Sequence, residues 1–133
     1  MYMPSPYEAV LRKLVVAAAD SKLAEAAPRL FADDAVLHVP GDSALAGDHH
    51  GPAAIADGYF RRQRDLADGD LSVEPIRMDV RDTRGVLVYD VRARRGAEVL
   101  EDRQVGVFRL GKGKIQEGWI ECSDQERFDR FFS

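Results

Sequence analysis

The 133-residue sequence has a single cysteine, Cys122, and this scarcity limits the structural chemistry open to the chain. One cysteine cannot form an intrachain disulfide, nor can it supply the ligands of a multi-cysteine zinc site. Such a composition fits a reducing compartment, and we expect a cytoplasmic location. A chain of this length buries one core without covalent crosslinks, so we expect a single domain over residues 1–133.

The sequence also lacks a long apolar segment and a surplus of positive charge. Its most apolar early run, residues 14–19, is too short to span a bilayer, and its pattern continues as an amphipathic one, so we expect no cleaved signal peptide. Nineteen basic against 23 acidic residues give a net charge of −4, and the one basic cluster, at residues 61–64, is typical of a solvated helix face. We therefore expect neither a nucleic acid nor a membrane as partner.

The first half of the chain has helical periodicity. Apolar residues recur every three or four positions over residues 5–19, 23–31 and 52–66, which predicts three helices. Pro28 cannot donate a helical hydrogen bond, so the second helix either starts late or kinks. Residues 35–39 are a predicted strand that Pro40 and Gly41 end, and the polar residues 42–51 are a predicted loop.

After Gly69 the pattern alternates, which predicts strands at residues 71–81, 86–94, 99–110 and 114–121. Gly96 and the turn at residues 111–113 suit hairpins, and Pro75 indicates a bulge or an edge strand. A capping box at residues 123–126 then starts a last helix. Helices followed by an antiparallel meander indicate an α+β fold. Val105 and Val107 are apolar on one face and Phe108 on the other, so we expect a homodimer through the outer sheet face.

Two parts of the sequence resemble a known superfamily. The segment LFADDAV at residues 30–36, followed by His38-Val39-Pro40-Gly41, and the hairpin at residues 107–119 are similar to nuclear transport factor 2-like proteins, in particular SnoaL-like and ketosteroid-isomerase-like ones. The resemblance spans nearly the whole chain. It implies a cone-like, curved and mostly antiparallel sheet with three N-terminal helices that enclose a pocket, a cystatin-like roll. This superfamily includes isomerases, cyclases, hydrolases, dehydratases and non-catalytic binders, so the likeness specifies the fold better than the function.

The residues that perform ketosteroid isomerisation are missing at the matching positions. The resemblance implies that Val39 occupies the place of the general base and Gly106 that of the protonated aspartate. Leu11, Leu14 and Val15 stand where the first helix would carry the tyrosine. We therefore expect no authentic ketosteroid isomerase activity.

Alternation predicts which other side chains face the pocket. If Val39 and Gly106 point inward, the following residues also do: Leu37, Gln104, Phe108, Gly118, Ile120 and Cys122. The same alignment of the 86–94 strand places Val88, Asp90 and Arg92 inside, although a one-residue slip would reverse that strand. Tyr59, on the third helix, is predicted to close the wall of the pocket.

Four of these residues are candidate catalytic groups. A buried Asp90 would act as a general base or acid, Arg92 would bind a carboxylate or a developing enolate, and Gln104 would donate to an oxyanion. An Asp–Arg pair at the rim or on the outer face is the alternative. His38 titrates in the right range for proton transfer, but alternation places it opposite Val39, which favours a structural histidine near the dimer seam.

These observations predict a cofactor-independent enzyme of the cyclase, isomerase or dehydratase type that acts on a small apolar metabolite. His49 and His50 lack the partner spacing of a metal site, so we expect no metal. A non-catalytic small-ligand binding protein and a protein-interaction module remain open as alternatives.

Overall fold

The secondary structure follows the predicted order in a computed structural model that describes residues 5–19 and 23–133, with the side chains of Ala19, Leu23 and Ala24 excepted. The helices are α1 (Pro6–Ala19), α2 (Leu23–Leu30), α3 (residues 51–66) and α4 (Gln125–Phe131). The strands are β1 (Phe31–Val39), β2 (Gly47–His50), β3 (Leu71–Arg81), β4 (Arg84–Arg95), β5 (Glu98–Gly111) and β6 (Lys114–Cys122). Within the described ranges, no helix is long and apolar enough to cross a membrane.

Helix α3 consists of three consecutive segments. It begins with an α-helical turn at Gly51–Ala54, which contains Pro52 as the sequence predicts, continues as a π-helix at Ile55–Arg61 and ends with a turn at Arg62–Leu66. π-Helical turns are rare and frequently adjoin functional sites. This one buries Tyr59 against the sheet, and Gln63 follows one turn later on the same side.

The six strands form one sheet in the order β2-β1-β6-β5-β4-β3. The pairing of β1 with β6 is parallel, and all other pairings are antiparallel, so the predicted meander of the last four strands is confirmed. The loop prediction for residues 42–51 is wrong at its end, where β2 pairs with β1. Its sequence, GDHH, has low strand propensity, and only the neighbouring strand supplies the backbone partners.

Two strands carry irregularities in their pairing. Strand β3 lies at the edge of the sheet, and its register shifts between Pro75 and Arg77, which confirms the prediction made from the proline. Strand β1 begins at Phe31, earlier than predicted, and its register against β6 shifts between Phe31 and Val36. The apolar spacing that continues the helical pattern through Phe31 therefore belongs partly to a strand.

The face predicted for β4 is wrong. The structure buries Leu87, Tyr89, Val91 and Ala93 on the concave side, so Val88, Asp90 and Arg92 lie on the convex side. A two-residue connection at Gly96 and Ala97 pairs Arg95 with Glu98, and this register sets Tyr89 opposite Gln104. Because directly opposed residues share a face, the inward side chain of Gln104 fixes Tyr89 inward as well.

The concave face packs against the helices, while the convex face carries an apolar centre. Val86, Val107 and Trp119 stand opposite one another on three adjacent strands. Val86 and Trp119 are exposed, and Val107 and its neighbour Val105 are half-buried. We call these four residues the outer apolar patch.

Candidate ligand-binding cavity

A cavity lies between helices α1 and α3 and the concave face of the sheet. Its volume is about 40 Å³. Most of its lining is apolar, and the described residues in its wall are Leu14, Val15, Ala18, Phe31, Leu37, Tyr59, Phe60, Gln63, Val73, Leu87, Tyr89, Val91, Gln104, Phe108 and Ile120. None of them carries a formal charge when the two tyrosines are protonated.

The cavity is small for a ligand site. Its volume equals the space that about three water molecules need, whereas pockets for drug-sized ligands span roughly 300–1,000 Å³. Only a few non-hydrogen atoms therefore fit without movement of the walls. A larger molecule requires the side chains of α1 and α3 to move away from the sheet.

Gln104 provides the polar group on the sheet side of the cavity. Its side chain is fully buried, and its Nε2 donates to Oδ2 of Asp102 at 3.1 Å and to Sγ of Cys122 at 3.6 Å. Its Oε1 atom is buried and has no hydrogen-bond partner within the described part of the chain. This arrangement corrects the prediction that Gln104 donates to an oxyanion, because the amide group has both donors engaged and offers an acceptor.

Asp102 holds this amide from below the cavity surface. Its side chain is only 4% exposed, and its Oδ1 accepts hydrogen bonds from the Ser123 hydroxyl at 2.7 Å and from the Asp124 backbone N–H at 3.2 Å. Asp124 in turn caps α4 by accepting from the Arg127 backbone N–H. The carboxylate thus joins the end of β6, the start of α4 and the polar wall of the cavity.

Gln63 provides a polar group on the helical side. It is 4% exposed, and its Nε2 is buried with no partner among the residues that the structure describes. An unpaired donor and an unpaired acceptor, in one cavity, each cost free energy unless a water or a ligand satisfies them. Both residues line the cavity, so these two atoms are the candidate hydrogen-bonding groups for a molecule bound there.

Two buried tyrosines add hydroxyl groups. Burial raises the pKa of Tyr59 and of Tyr89 above the ordinary tyrosine value, so both are protonated at neutral pH. No hydrogen bond joins either hydroxyl to another residue in the described ranges. The ring of Tyr59 packs edge-on against Phe60 at a centroid distance of 4.8 Å, which fixes its direction.

Most of the predicted pocket residues lie on the concave side. Leu37, Tyr59, Gln104, Phe108 and Ile120 form part of the cavity wall, and their role in binding stays a prediction. Val39, Gly106 and Gly118 are buried on the same face but outside the cavity lining.

The two glycines make room for the ring of Phe108. A Cβ atom at Gly106 would lie 2.8 Å from this ring, and one at Gly118 would lie 3.0 Å from it and from Leu37. Gly106 and Gly118 thus set the position of the Phe108 ring, which forms a wall of the cavity.

Cys122 contacts Gln104 without lining the cavity. Burial and the neighbouring Asp102 raise the pKa of its thiol to about 12, so the sulfur is protonated at neutral pH. Its sulfur accepts a hydrogen bond from the amide of Gln104, and the substrate contact of Cys122 stays a prediction.

Asp90 and Arg92 do not reach the cavity, and the placement predicted for them is wrong. Asp90 forms a two-bond ion pair with Arg103 at 2.8 and 3.0 Å, and this hydrogen bonding lowers the pKa of its carboxyl group. Nε of Arg92 lies 3.5 Å from Oε1 of Glu101. Both pairs lie on the convex face, so neither residue has access to a ligand in the cavity. The alternative interpretation is right about the outer face, but Asp90 and Arg92 pair with Arg103 and Glu101 and not with each other. Val88 lies on this face too.

His38 also lies on the convex side, opposite Val39 as alternation predicts. Its Nδ1 is 2.7 Å from Asp48 and its Nε2 is 2.6 Å from Glu117, and its ring stacks on Trp119 at 5.4 Å. The hydrogen bond to Glu117 is the main cause that raises the pKa of His38. Two carboxylates and a tryptophan thus hold this histidine as a structural element beside the outer apolar patch.

The family follows from a comparison with protein-family models. The model described as the SnoaL-like domain matches residues 11–118, which is most of the chain. The chain belongs to the SnoaL-like domain family. Among curated proteins, none matches it significantly.

Several solved structures have the same fold as this SnoaL-like domain. Bal32a from a soil-derived mobile gene cassette is 25% identical, with 96% of this chain and 97% of that chain covered at a TM-score of 0.89. An NTF2-like protein from Burkholderia xenovorans is 19% identical over 96% of each chain, at a TM-score of 0.76. IdmH from Streptomyces antibioticus, provisionally assigned as a polyketide cyclase, is 16% identical over 90% of this chain and 93% of that one, at a TM-score of 0.73. The nuclear transport factor 2-like fold predicted from the sequence is confirmed.

Three polar residues of this SnoaL-like site were not predicted. Asp102 precedes Gln104 by two positions and so shares its face, and Tyr89 is opposite Gln104 across a two-residue turn. Both could have been found by extending the alternation through the hairpin. Gln63 lies on the same face of α3 as Tyr59, but nothing in the sequence indicates that its amide nitrogen lacks a partner.

Proposed function

We propose that this SnoaL-like domain binds a small, uncharged and mainly apolar molecule in its cavity, without a cofactor. The observation that carries the proposal is the composition of the lining: apolar side chains interrupted by two glutamines and two tyrosines, with no formally charged group among the described residues. Transfer of a charged group into such a site without a partner is strongly unfavourable, whereas a neutral polar group finds hydrogen bonds there. Polar groups of this kind orient a ligand within an apolar pocket.

The proposal is tested with two probes of equal shape and different charge. We expect cyclopentanol to shift the NMR resonances of Tyr89 and Gln104 in the labelled protein, and cyclopentylammonium to bind at least about a hundredfold more weakly. The variant Val91→Phe, which narrows the cavity, should weaken cyclopentanol binding. The matched variant Val86→Phe, on the convex face, should not. Equal binding of both probes, or equal effects of both variants, would contradict the proposal.

A second candidate function is cofactor-independent catalysis of a cyclisation, isomerisation or dehydration. It is favoured by the hydroxyls of Tyr59 and Tyr89, which stay protonated and are free to donate to an oxygen on which negative charge develops. The provisional assignment of the similar IdmH as a polyketide cyclase agrees with it. No carboxylate lies in the described cavity wall, so the proton acceptor would be the substrate or water, and binding therefore remains the leading proposal.

Catalysis of this kind is measurable on a simple ketone. If the tyrosines stabilise an enolate, the protein should accelerate hydrogen–deuterium exchange next to the carbonyl of cyclopentanone, and Tyr89→Phe should lower this acceleration by about a hundredfold. An exchange rate equal to that of buffer alone would leave the protein a binder.

We also propose that two copies pair through the outer apolar patch. Val86, Val105, Val107 and Trp119 form a contiguous apolar centre flanked by charges of both signs, among them Asp90, Arg103 and Glu117, and a two-fold arrangement would bring such a patch onto itself. Sedimentation velocity should give twice the mass of the chain for the wild type and the monomer mass for Val107→Glu. A hetero-oligomer in lysate would instead favour a protein-interaction module.

A further inference from the structure

The orientation of the Gln104 side chain is determined by its neighbour Asp102. The amide nitrogen of Gln104 faces this carboxyl group and donates to its Oδ2 at 3.1 Å. The second amide hydrogen points to the sulfur of Cys122. The oxygen of Gln104 is left as the group without a partner, and it is fully buried in a residue that lines the cavity.

Asp102 is itself held in place by groups outside the cavity. Its Oδ1 accepts from the Ser123 hydroxyl and the Asp124 backbone N–H, while its Oδ2 accepts from Gln104. The two oxygens therefore have different partners, and the carboxylate cannot rotate without loss of these bonds. A residue outside the cavity wall thus fixes which polar atom the wall presents.

We propose that Asp102 is a positioning residue that makes the cavity selective for ligands carrying a hydrogen-bond donor, such as a hydroxyl or an N–H group. The donor binds Oε1 of Gln104, and an acceptor elsewhere on the same molecule takes the free Nε2 of Gln63. The ligand class is a compact, neutral molecule that is mostly apolar and has one donor and one acceptor. This inference rests on the proposed binding function.

The substitution Asp102→Asn reverses the polarity of the wall with little change in shape. The asparagine oxygen would replace Oδ1, because the backbone N–H of Asp124 and the Ser123 hydroxyl need an acceptor there. The asparagine amide nitrogen would then face Gln104 in place of Oδ2. Gln104 would turn its oxygen toward this nitrogen and present its own N–H groups to the cavity.

The experiment compares pyrrole with furan, two rings of nearly equal size of which only pyrrole donates a hydrogen bond. Dissociation constants are measured by NMR titration of the full chain. We expect the wild type to bind pyrrole about tenfold more tightly than furan, because the pyrrole N–H can bind Oε1 of Gln104. The furan oxygen is a weak acceptor, since one of its lone pairs belongs to the aromatic ring, so it gains little from Nε2 of Gln63. In Asp102→Asn the preference should vanish or reverse. Gln104→Leu should also lose the preference while it keeps the affinity for furan.

The control is Glu101→Gln, the same chemical change one residue earlier on the exposed face of β5, which should keep the tenfold preference. The ratio of the two affinities distinguishes a change in the orientation of Gln104 from a general loss of stability, because a loss of stability would weaken the binding of both rings alike. If Asp102→Asn fails to fold, the affinity ratios of the wild type and of Gln104→Leu test the inference. Equal affinities in the wild type would overturn this inference alone, whereas absence of binding by both rings would overturn the proposed function.

Discussion

Replacement of Phe108 by alanine should lower the free energy of unfolding by about 3–5 kcal/mol, which is the usual cost of deleting a buried phenyl ring. The ring is buried on the concave face of β5 and fits into the space left by the glycines at 106 and 118. Gly106 and Gly118 cannot fill that space, because both lack a Cβ atom. The loss should appear in urea unfolding followed by the fluorescence of Trp119, the only tryptophan.

The same substitution should change what the cavity accepts. Removal of the ring joins the space above Gly106 and Gly118 to the existing cavity, so a bicyclic molecule such as indole should bind Phe108→Ala more tightly than it binds the wild type. The matched control is Arg109→Ala, at the next residue along β5, which lies on the convex face. It should lower the free energy of unfolding by less than about 1 kcal/mol and leave the binding of indole unchanged. A small loss of stability at Phe108, or unchanged binding of indole, would show that the ring is not a wall of the cavity.

The architecture was largely predictable because its signals are local. Alternation in the last four strands, the turn at residues 111–113 and the edge proline Pro75 each act within a few residues, and they place the strands in order. The resemblance in residues 30–41 and 107–119 implied a mostly antiparallel sheet, but it did not predict the parallel pairing of β1 with β6. Strand β2 was missed because its pairing depends on β1 and its own residues give no strand signal.

The candidate site was less predictable because β4 has apolar residues on both faces. Val86 and Val88 alternate with Leu87 and Tyr89, so the pattern alone does not distinguish the two assignments. The register through the Gly96 turn would have decided it, since this turn pairs Tyr89 with Gln104. Asp90 was therefore placed in the cavity although its partner, Arg103, lies on the convex face of the adjacent strand.

Asp102 shows why a buried polar network is hard to foresee. Its partners come from positions 104, 123 and 124, and the last two approach it only when β6 has paired with β5 and α4 has begun. A sequence pattern places Asp102 inward but cannot show that three hydrogen-bond donors lie within reach of its carboxylate. An unpaired inward aspartate would have been unfavourable, so the network is what permits this residue in the core.

Removal of that carboxylate should therefore be the most damaging single change to the polar part of the structure. Asp102→Ala leaves the donors of Gln104, Ser123 and Asp124 without their acceptor, and we expect a loss of about 2–4 kcal/mol in the free energy of unfolding. The fully buried Gln104 nitrogen contributes most, because water does not reach it. Urea unfolding of wild type and variant at neutral pH measures the difference.

The comparison that tests this explanation is Asp90→Ala on the adjacent strand. Asp90 has a closer and doubly bonded partner in Arg103, yet its side chain is 38% exposed, so solvent replaces the lost contacts. If burial decides the effect, Asp90→Ala should cost far less than Asp102→Ala even though it breaks an ion pair of better geometry. Similar losses in the two variants would mean that the donors around Asp102 find other partners. In that case Gln104 would not depend on this carboxylate for its orientation, and the selectivity proposed for the cavity would lose its physical basis.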